Sequence, residues 1–186
     1  MKTSTKWLAV GLVAGSAAGA LLHYKLKNFI PEGIKPVKDF VPDNFLGTWH
    51  EIARFDYRFE KNLHLVTAKY SLNADGSLKV KNRGYNVKTN QWKEANGIAK
   101  FTGDTGTASL KVSFFGPFYS GYNVIAITPD YRHALICGES REYLWILSRD
   151  KEMPDFVIKP FLEYAESLGF DTEALTWPRQ DLDAHF

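Results

Sequence analysis

The chain has 186 residues, 45% hydrophobic, 15% aromatic and 24% charged, which suffices for one domain with a substantial core and excludes two full domains or wholesale disorder. Its net charge of +2 divides into +4 over residues 1–42 and −2 over the rest, so the folded part offers no basic footprint and no nucleic acid partner is expected. A lone cysteine, Cys137, excludes an intramolecular disulfide and a cysteine-cluster metal site.

Met1–Lys6 carries two Lys, and Trp7–Leu22 follows with sixteen uncharged residues before His23, Tyr24, Lys25 and Lys27 restore polarity. A basic start and an apolar middle predict a signal peptide or a membrane anchor over residues 1–24. Ala18-Gly19-Ala20 offers a small-x-small cleavage pattern, and sixteen residues fall short of the ~20 that span a bilayer. Gly11, Gly15 and Gly19 instead repeat at the spacing that lets membrane helices approach closely, and Lys25, Lys27, Lys35 and Lys38 oppose simple translocation. Both fates stay open. No cysteine near residue 20 is available for acylation. Residues 25–42, with Pro31, Gly33, Pro36 and Pro42, read as a linker, either free or partly docked on the domain.

From residue 43 the pattern is short strands and turns. Thr48–Phe55 and Leu65–Leu72 come first, and Asn73-Ala-Asp-Gly76 supplies the Asp-Gly signal of a hairpin. Ser77–Tyr85, Trp92–Thr102, Ser109–Phe115, Tyr122–Ile127, Ala134–Cys137 and Tyr143–Ser148 make eight, with a break at Gly116-Pro117. Such spacing predicts an all-β sandwich or barrel. Pro154–Leu168 then places Phe156, Val157, Phe161, Tyr164, Ala165 and Leu168 at helical spacing, with Gly169 as its stop. Pro160 inside that run predicts a separate first turn, and Ala174–Trp177 reads as one more short strand.

Three segments carry a family resemblance. Asn44–Ala53 (NFLGTWHEIA) resembles the Gly-x-Trp opening of lipocalins, Thr128-Pro129-Asp130-Tyr131 their second signature, and Leu144–Arg149 (LWILSR) the third, which ends in arginine. Order and separation fit, and the likeness covers about residues 43–180. Ile52–Asp56 and Lys111–Tyr119 are most similar to the lipocalins of the Gram-negative envelope. The resemblance implies an eight-stranded antiparallel up-and-down barrel of the lipocalin (calycin) type over residues 43–186, with one C-terminal α-helix packed outside. It also implies that Trp49, covered by Arg149, plugs the closed end, a cation–π contact of ~0.5–2 kcal/mol, while Gly47 allows close backbone approach.

Side chains alternate faces along a strand. With Trp49 inside, Glu51 and Ala53 follow. The family register adds Val66, Ala68 and Tyr70, then Val80 and Asn82, Val112 and Phe114, Tyr122 and Val124, and Tyr143, Trp145 and Leu147. This set has the composition of a ligand pocket, apolar and aromatic with a few polar groups. A bulge would invert it locally, and a barrel filled by these side chains is the competing expectation. The family likeness implies a fatty acid or lysophospholipid as partner, with no cofactor, at a cell-envelope membrane on the periplasmic side.

Chemistry is thin elsewhere. Glu51 is the one carboxyl named for an enzymatic alternative on a lipid or pigment, and it serves equally to bond a tyrosine hydroxyl. No base is supplied for Cys137, so a buried structural thiol is expected. His23, His50, His64, His133 and His185 show no metal-ligand spacing, and Gly-x-Ser-x-Gly, Gly-x-Gly-x-x-Gly and Gly-Lys-Ser/Thr are absent. Phe114–Tyr119 is the most exposed-looking apolar run, suited to a pocket rim, a homodimer interface or a membrane contact, or to a bent strand packed on both faces. An occluded barrel serving as an interaction protein is the third reading.

Overall fold

The computed structural model describes residues 28–56 and 61–181; the signal peptide or anchor expected over residues 1–24 lies outside them. A one-turn helix α1 (Pro42–Phe45) leads into eight antiparallel strands: β1 (Gly47–Phe55), β2 (Leu63–Leu72), β3 (Leu78–Asn86), β4 (Gln91–Phe101), β5 (Ser109–Phe115), β6 (Phe118–Ile127), β7 (His133–Cys137) and β8 (Leu144–Ser148). Helix α2 (Asp155–Ser167) and the short strand β9 (Leu175–Thr176) follow. Consecutive strands pair in order, and β1 pairs with both β2 and β8, so the sheet closes on itself and β9 adds outside β1. Closure removes the sheet edges that an open meander would expose.

Local chemistry sets the turns. Gly76 has φ +78°, and Asp75 Oδ1 accepts from the Ser77 amide and hydroxyl, which fixes the β2–β3 hairpin. Helix α2 ends as expected: Gly169 has φ +83°, its amide reaches Glu166 O, and the Phe170 amide reaches Ala165 O. Pro160 does not separate a first turn. It is exposed within one continuous helix, and the Phe156 carbonyl it leaves without a donor belongs to a residue that is itself in solvent.

Two cores result, one on each face of the sheet. The inner one includes Phe40, Phe45, Trp49, Tyr70, Leu78, Val80, Leu110, Val124, Ile136 and Leu147. The outer one packs Phe161 and Ala165 of α2 over Ile52, Ala53, Ile125, Leu135, Cys137, Leu144 and Ile146. Residues 28–41 are not a free tether. Ile34 joins the outer core and Phe40 the inner one. Val37 exchanges backbone bonds with Val124 and Ala108.

Candidate functional site

The strand directions give the barrel two ends. At one end lie α1, the β2–β3 and β6–β7 turns and the start of β1; at the other lie the β3–β4 and β5–β6 hairpins and the end of β1. The first end is closed. Trp49 is fully buried, its indole N–H donates to Phe45 O at 2.8 Å, and the Phe45 ring is 4.8 Å away. The Arg149 guanidinium lies 3.9 Å from the Trp49 ring centroid and donates to Thr48 O (2.9 Å), Asn44 O (2.8 Å) and Tyr131 O (3.3 Å). Gly47 is required here twice over: its φ is +96°, and a Cβ would stand 3.3 Å from Arg149 Nη1.

Above this floor the interior changes character. Tyr70, Val80, Val124 and Leu147 are buried, whereas Val66, Ala68, Asn82, Val112, Phe114, Tyr122, Tyr143 and Trp145 remain half-buried. Ala68, Val112, Phe114, Tyr122 and Trp145 pack against the inner core. Tyr143 stacks on Trp145 with centroids 6.2 Å apart, and Trp145 meets Tyr122 at 6.3 Å. Val66 points to the same side, 3.3 Å from where a Cβ on Gly84 would stand.

Parity fails at one expected pocket residue, Ala53. A bulge between Glu51 and Ala53 shifts the β1–β8 register. Glu51 pairs with Leu147 and Arg54 with Trp145, both inward, while Ala53 pairs with Ile146, which faces α2. Paired residues share a face, so Ala53 belongs to the outer core and Arg54 occupies the interior position. The bend at the change of partner, from β2 to β8, is a tertiary event that strict alternation does not anticipate.

Arg54 is an interior residue that alternation missed. It is 1% exposed and bonds Glu51 Oε1 at 2.5 Å and Asp56 Oδ1 at 3.3 Å. Burial pushes the Glu51 carboxyl above the usual carboxylate range, and Arg54 pulls it partly back. Between β2 and β6 the Tyr70 and Tyr122 hydroxyls are 2.7 Å apart, and burial raises both phenols. The Asn82 side-chain oxygen is buried without a hydrogen-bond partner. The interior thus presents an aromatic wall, an ion pair on β1 and one unused acceptor on β3.

Among the described residues no cluster of His, Cys, Asp and Glu is arranged to hold a metal. Cys137 is buried on the outer face, and desolvation pushes its thiol up to about 12. We expect Ellman's reagent at about pH 8 to leave the native protein unmodified and to titrate one thiol after denaturation; fast reaction of the folded protein would reopen a nucleophilic role. A surface cavity of about 670 Å³ lies outside the barrel at its closed end, between the β6–β7 turn and the start of α2, lined by Pro129, His133, Met153 and Phe156 among others.

Comparison with known proteins agrees with this architecture. The family model described as "Lipocalin-like domain" matches residues 42–180. "Outer membrane lipoprotein Blc" of Citrobacter freundii is 53% identical over 150 residues, covering 81% of this chain and 85% of that protein. Its namesake in Escherichia coli K12 is 50% identical over 169 residues, covering 91% and 96%. Among solved structures, insecticyanin from the tobacco hornworm superposes with a TM-score of 0.67 at 22% identity, covering 85% of this chain and 90% of that one, a likeness of fold alone. On the closed barrel, the arginine-capped tryptophan floor and these matches, the chain belongs to the lipocalin family.

Proposed function

We propose that this lipocalin holds a fatty acid or lysophospholipid in its barrel, serving lipid storage, transport or membrane maintenance in the cell envelope. The observation that carries this reading is the half-buried aromatic and aliphatic wall inside a closed sheet, from Val66 and Val112 to Trp145. A closed barrel that filled itself would leave those side chains dry. Each methylene of an acyl chain laid against them gains about 0.8 kcal/mol, enough for micromolar binding by a modest chain. Arg54 and Asn82 are the polar groups set to meet a headgroup. The envelope placement draws on the relatives named as outer membrane lipoproteins and on the apolar segment at residues 7–22.

No enzymatic step is needed for this role. Glu51 is held by Arg54, which suits it to orient a cation and unsuits it to shuttle a proton. The test is native mass spectrometry of residues 28–186 purified without added lipid, followed by organic extraction. A stoichiometric fatty acid or lysophospholipid is expected. A barrel that arrives empty and takes up no added lipid would overturn the reading in favour of a filled scaffold.

A further inference from the structure

The rim of the barrel carries a feature that the ligand-holding role does not use. The β5–β6 hairpin lies at the end opposite the Trp49 floor, with Phe115 47% and Phe118 56% exposed on either side of Gly116-Pro117. Trp92 on β4, also at this end, is 45% exposed but already carries the Arg83 guanidinium 3.8 Å over its ring and the Tyr85 ring at 5.4 Å, so it adds nothing to the hairpin tip. Neither Phe115 nor Phe118 belongs to the inner or outer core, whereas their neighbour Phe114 packs inward. Two phenylalanines half-exposed at one hairpin tip are a costly surface to leave in water.

The path of residues 28–41 says what covers it. Phe29 lies on the outside of β6: its carbonyl accepts from Asn123 Nδ2 at 2.8 Å, and a Cβ on Gly121 would come within 2.2 Å of that oxygen. Lys111 Nζ is 5.5 Å from the Phe29 ring and 5.3 Å from the Tyr119 ring, one residue along from Phe118. From there the chain runs toward the floor. Val37 bonds Val124 and Ala108, Lys38 pairs with Thr107, and Phe40 bonds Gly106. Followed backward, the chain therefore reaches Asn28 on the mouth side, about 10 Å along β6 from the hairpin. Only five residues, with Lys25 and Lys27 among them, separate Asn28 from the apolar run Trp7–Leu22. So short a connection reaches at most about 18 Å, and basic residues beside it favour an anionic lipid surface.

The geometry points to a membrane-docking surface: the β5–β6 hairpin, with Phe115 and Phe118 at its tip, seats on a lipid bilayer and turns the end of the barrel opposite the Trp49 floor toward it. The closed end, with its polar Asn73–Ser77 turn and the Arg132–Asp150 ion pair, then faces away. Lipid entering or leaving the barrel need not cross bulk water. The inference concerns the outer surface and does not depend on which lipid the barrel holds.

The test uses the full-length chain in vesicles of phosphatidylethanolamine and phosphatidylglycerol. Nitroxide labels are placed singly by Phe118→Cys, Asp75→Cys and Phe156→Cys, with wild type as the control that Cys137 takes no label. The expected result is a label at 118 that oxygen reaches several-fold better than a nickel chelate does, with the reverse at 75 and 156. Hydrogen exchange on the unlabelled protein supplies a second reading, in which amides of residues 114–120 slow in vesicles relative to non-ionic detergent while those of residues 73–77 do not. A label at 118 that stays aqueous, or one at 75 or 156 that sinks into lipid, overturns the proposal. So does spin–spin coupling between labels at 118, which would make the rim an interface between two copies. Lipid extracted from the same preparations is scored separately, so a loaded barrel that does not dock retires the docking surface and leaves the carrier role standing.

Discussion

Replacing Trp49 by Ala is expected to destabilise the protein by about 3–5 kcal/mol, the usual range for removing a fully buried tryptophan, and to lower the melting temperature by roughly 6–20 °C for a domain of this size. The ring is 0% exposed, and its loss strips the floor of three partners at once. The Phe45 ring loses its neighbour, Phe45 O loses a donor, and the Arg149 guanidinium loses the surface it covers. Arg149→Lys retains the charge but not the fork that reaches Asn44 O, Thr48 O and Tyr131 O. We expect about 1–2 kcal/mol from that exchange, because an ammonium on a flexible stem cannot serve three divergent carbonyls. The two changes share partners, so the double variant should cost less than their sum. Urea unfolding of all three variants checks this. A Trp49→Ala loss below about 1 kcal/mol, or strict additivity, would mean that the floor does not act as a unit.

Much of this fold can be read from residues alone, because turn chemistry and alternation are local. Asp75-Gly76 marks its hairpin, Gly169 stops α2, and Gly47-Thr48-Trp49 with Arg149 places the floor before any contact is known. The interior is legible wherever a strand keeps one partner and one register, as β3 does along Val80 and Asn82. It ceases to be legible where a strand changes partner. β1 leaves β2 after His50 and follows β8, and the bulge at the change exchanges Ala53 for Arg54. An arginine one residue beyond an expected pocket position carries no local sign that it turns inward. Residues 28–41 dock on the barrel, one of the two expectations for the linker, but their sequence does not say where. Their prolines suggest a tether, yet Ile34, Val37 and Phe40, three apart, are the anchors that lay the segment on the barrel. Gly121 and Asn123, some ninety residues distant, are what receive it, and no local pattern foretells that.

Arg54→Met carries the second large expected effect. It removes the cation from a pair in which both side chains are under a tenth exposed. Breaking a buried pair by deleting one partner typically costs about 3–5 kcal/mol, because the remaining charge is stranded. Here that charge is Glu51. Its carboxyl already sits above its ordinary 4.5 through desolvation, with Arg54 as the main opposing influence, so the variant should raise it further. The sign follows from linkage. A carboxyl whose folded value exceeds its unfolded one favours the folded state below about 4.5, and that advantage is lost as pH rises through the folded value. The deficit of Arg54→Met should therefore be small near pH 4.5 and widen toward pH 8. Adding Glu51→Gln should restore most of the stability at neutral pH, since the double variant buries no charge at either position. Denaturant melts of wild type, Arg54→Met, Glu51→Gln and the double variant at several pH values check both statements. A deficit that ignores pH and resists rescue by Glu51→Gln would assign the loss to packing of the arginine stem against Trp145's side of the barrel. The same four proteins separate stability from recognition: if Arg54 meets an anionic headgroup, the rescued double variant folds yet still binds lysophospholipid more weakly than wild type.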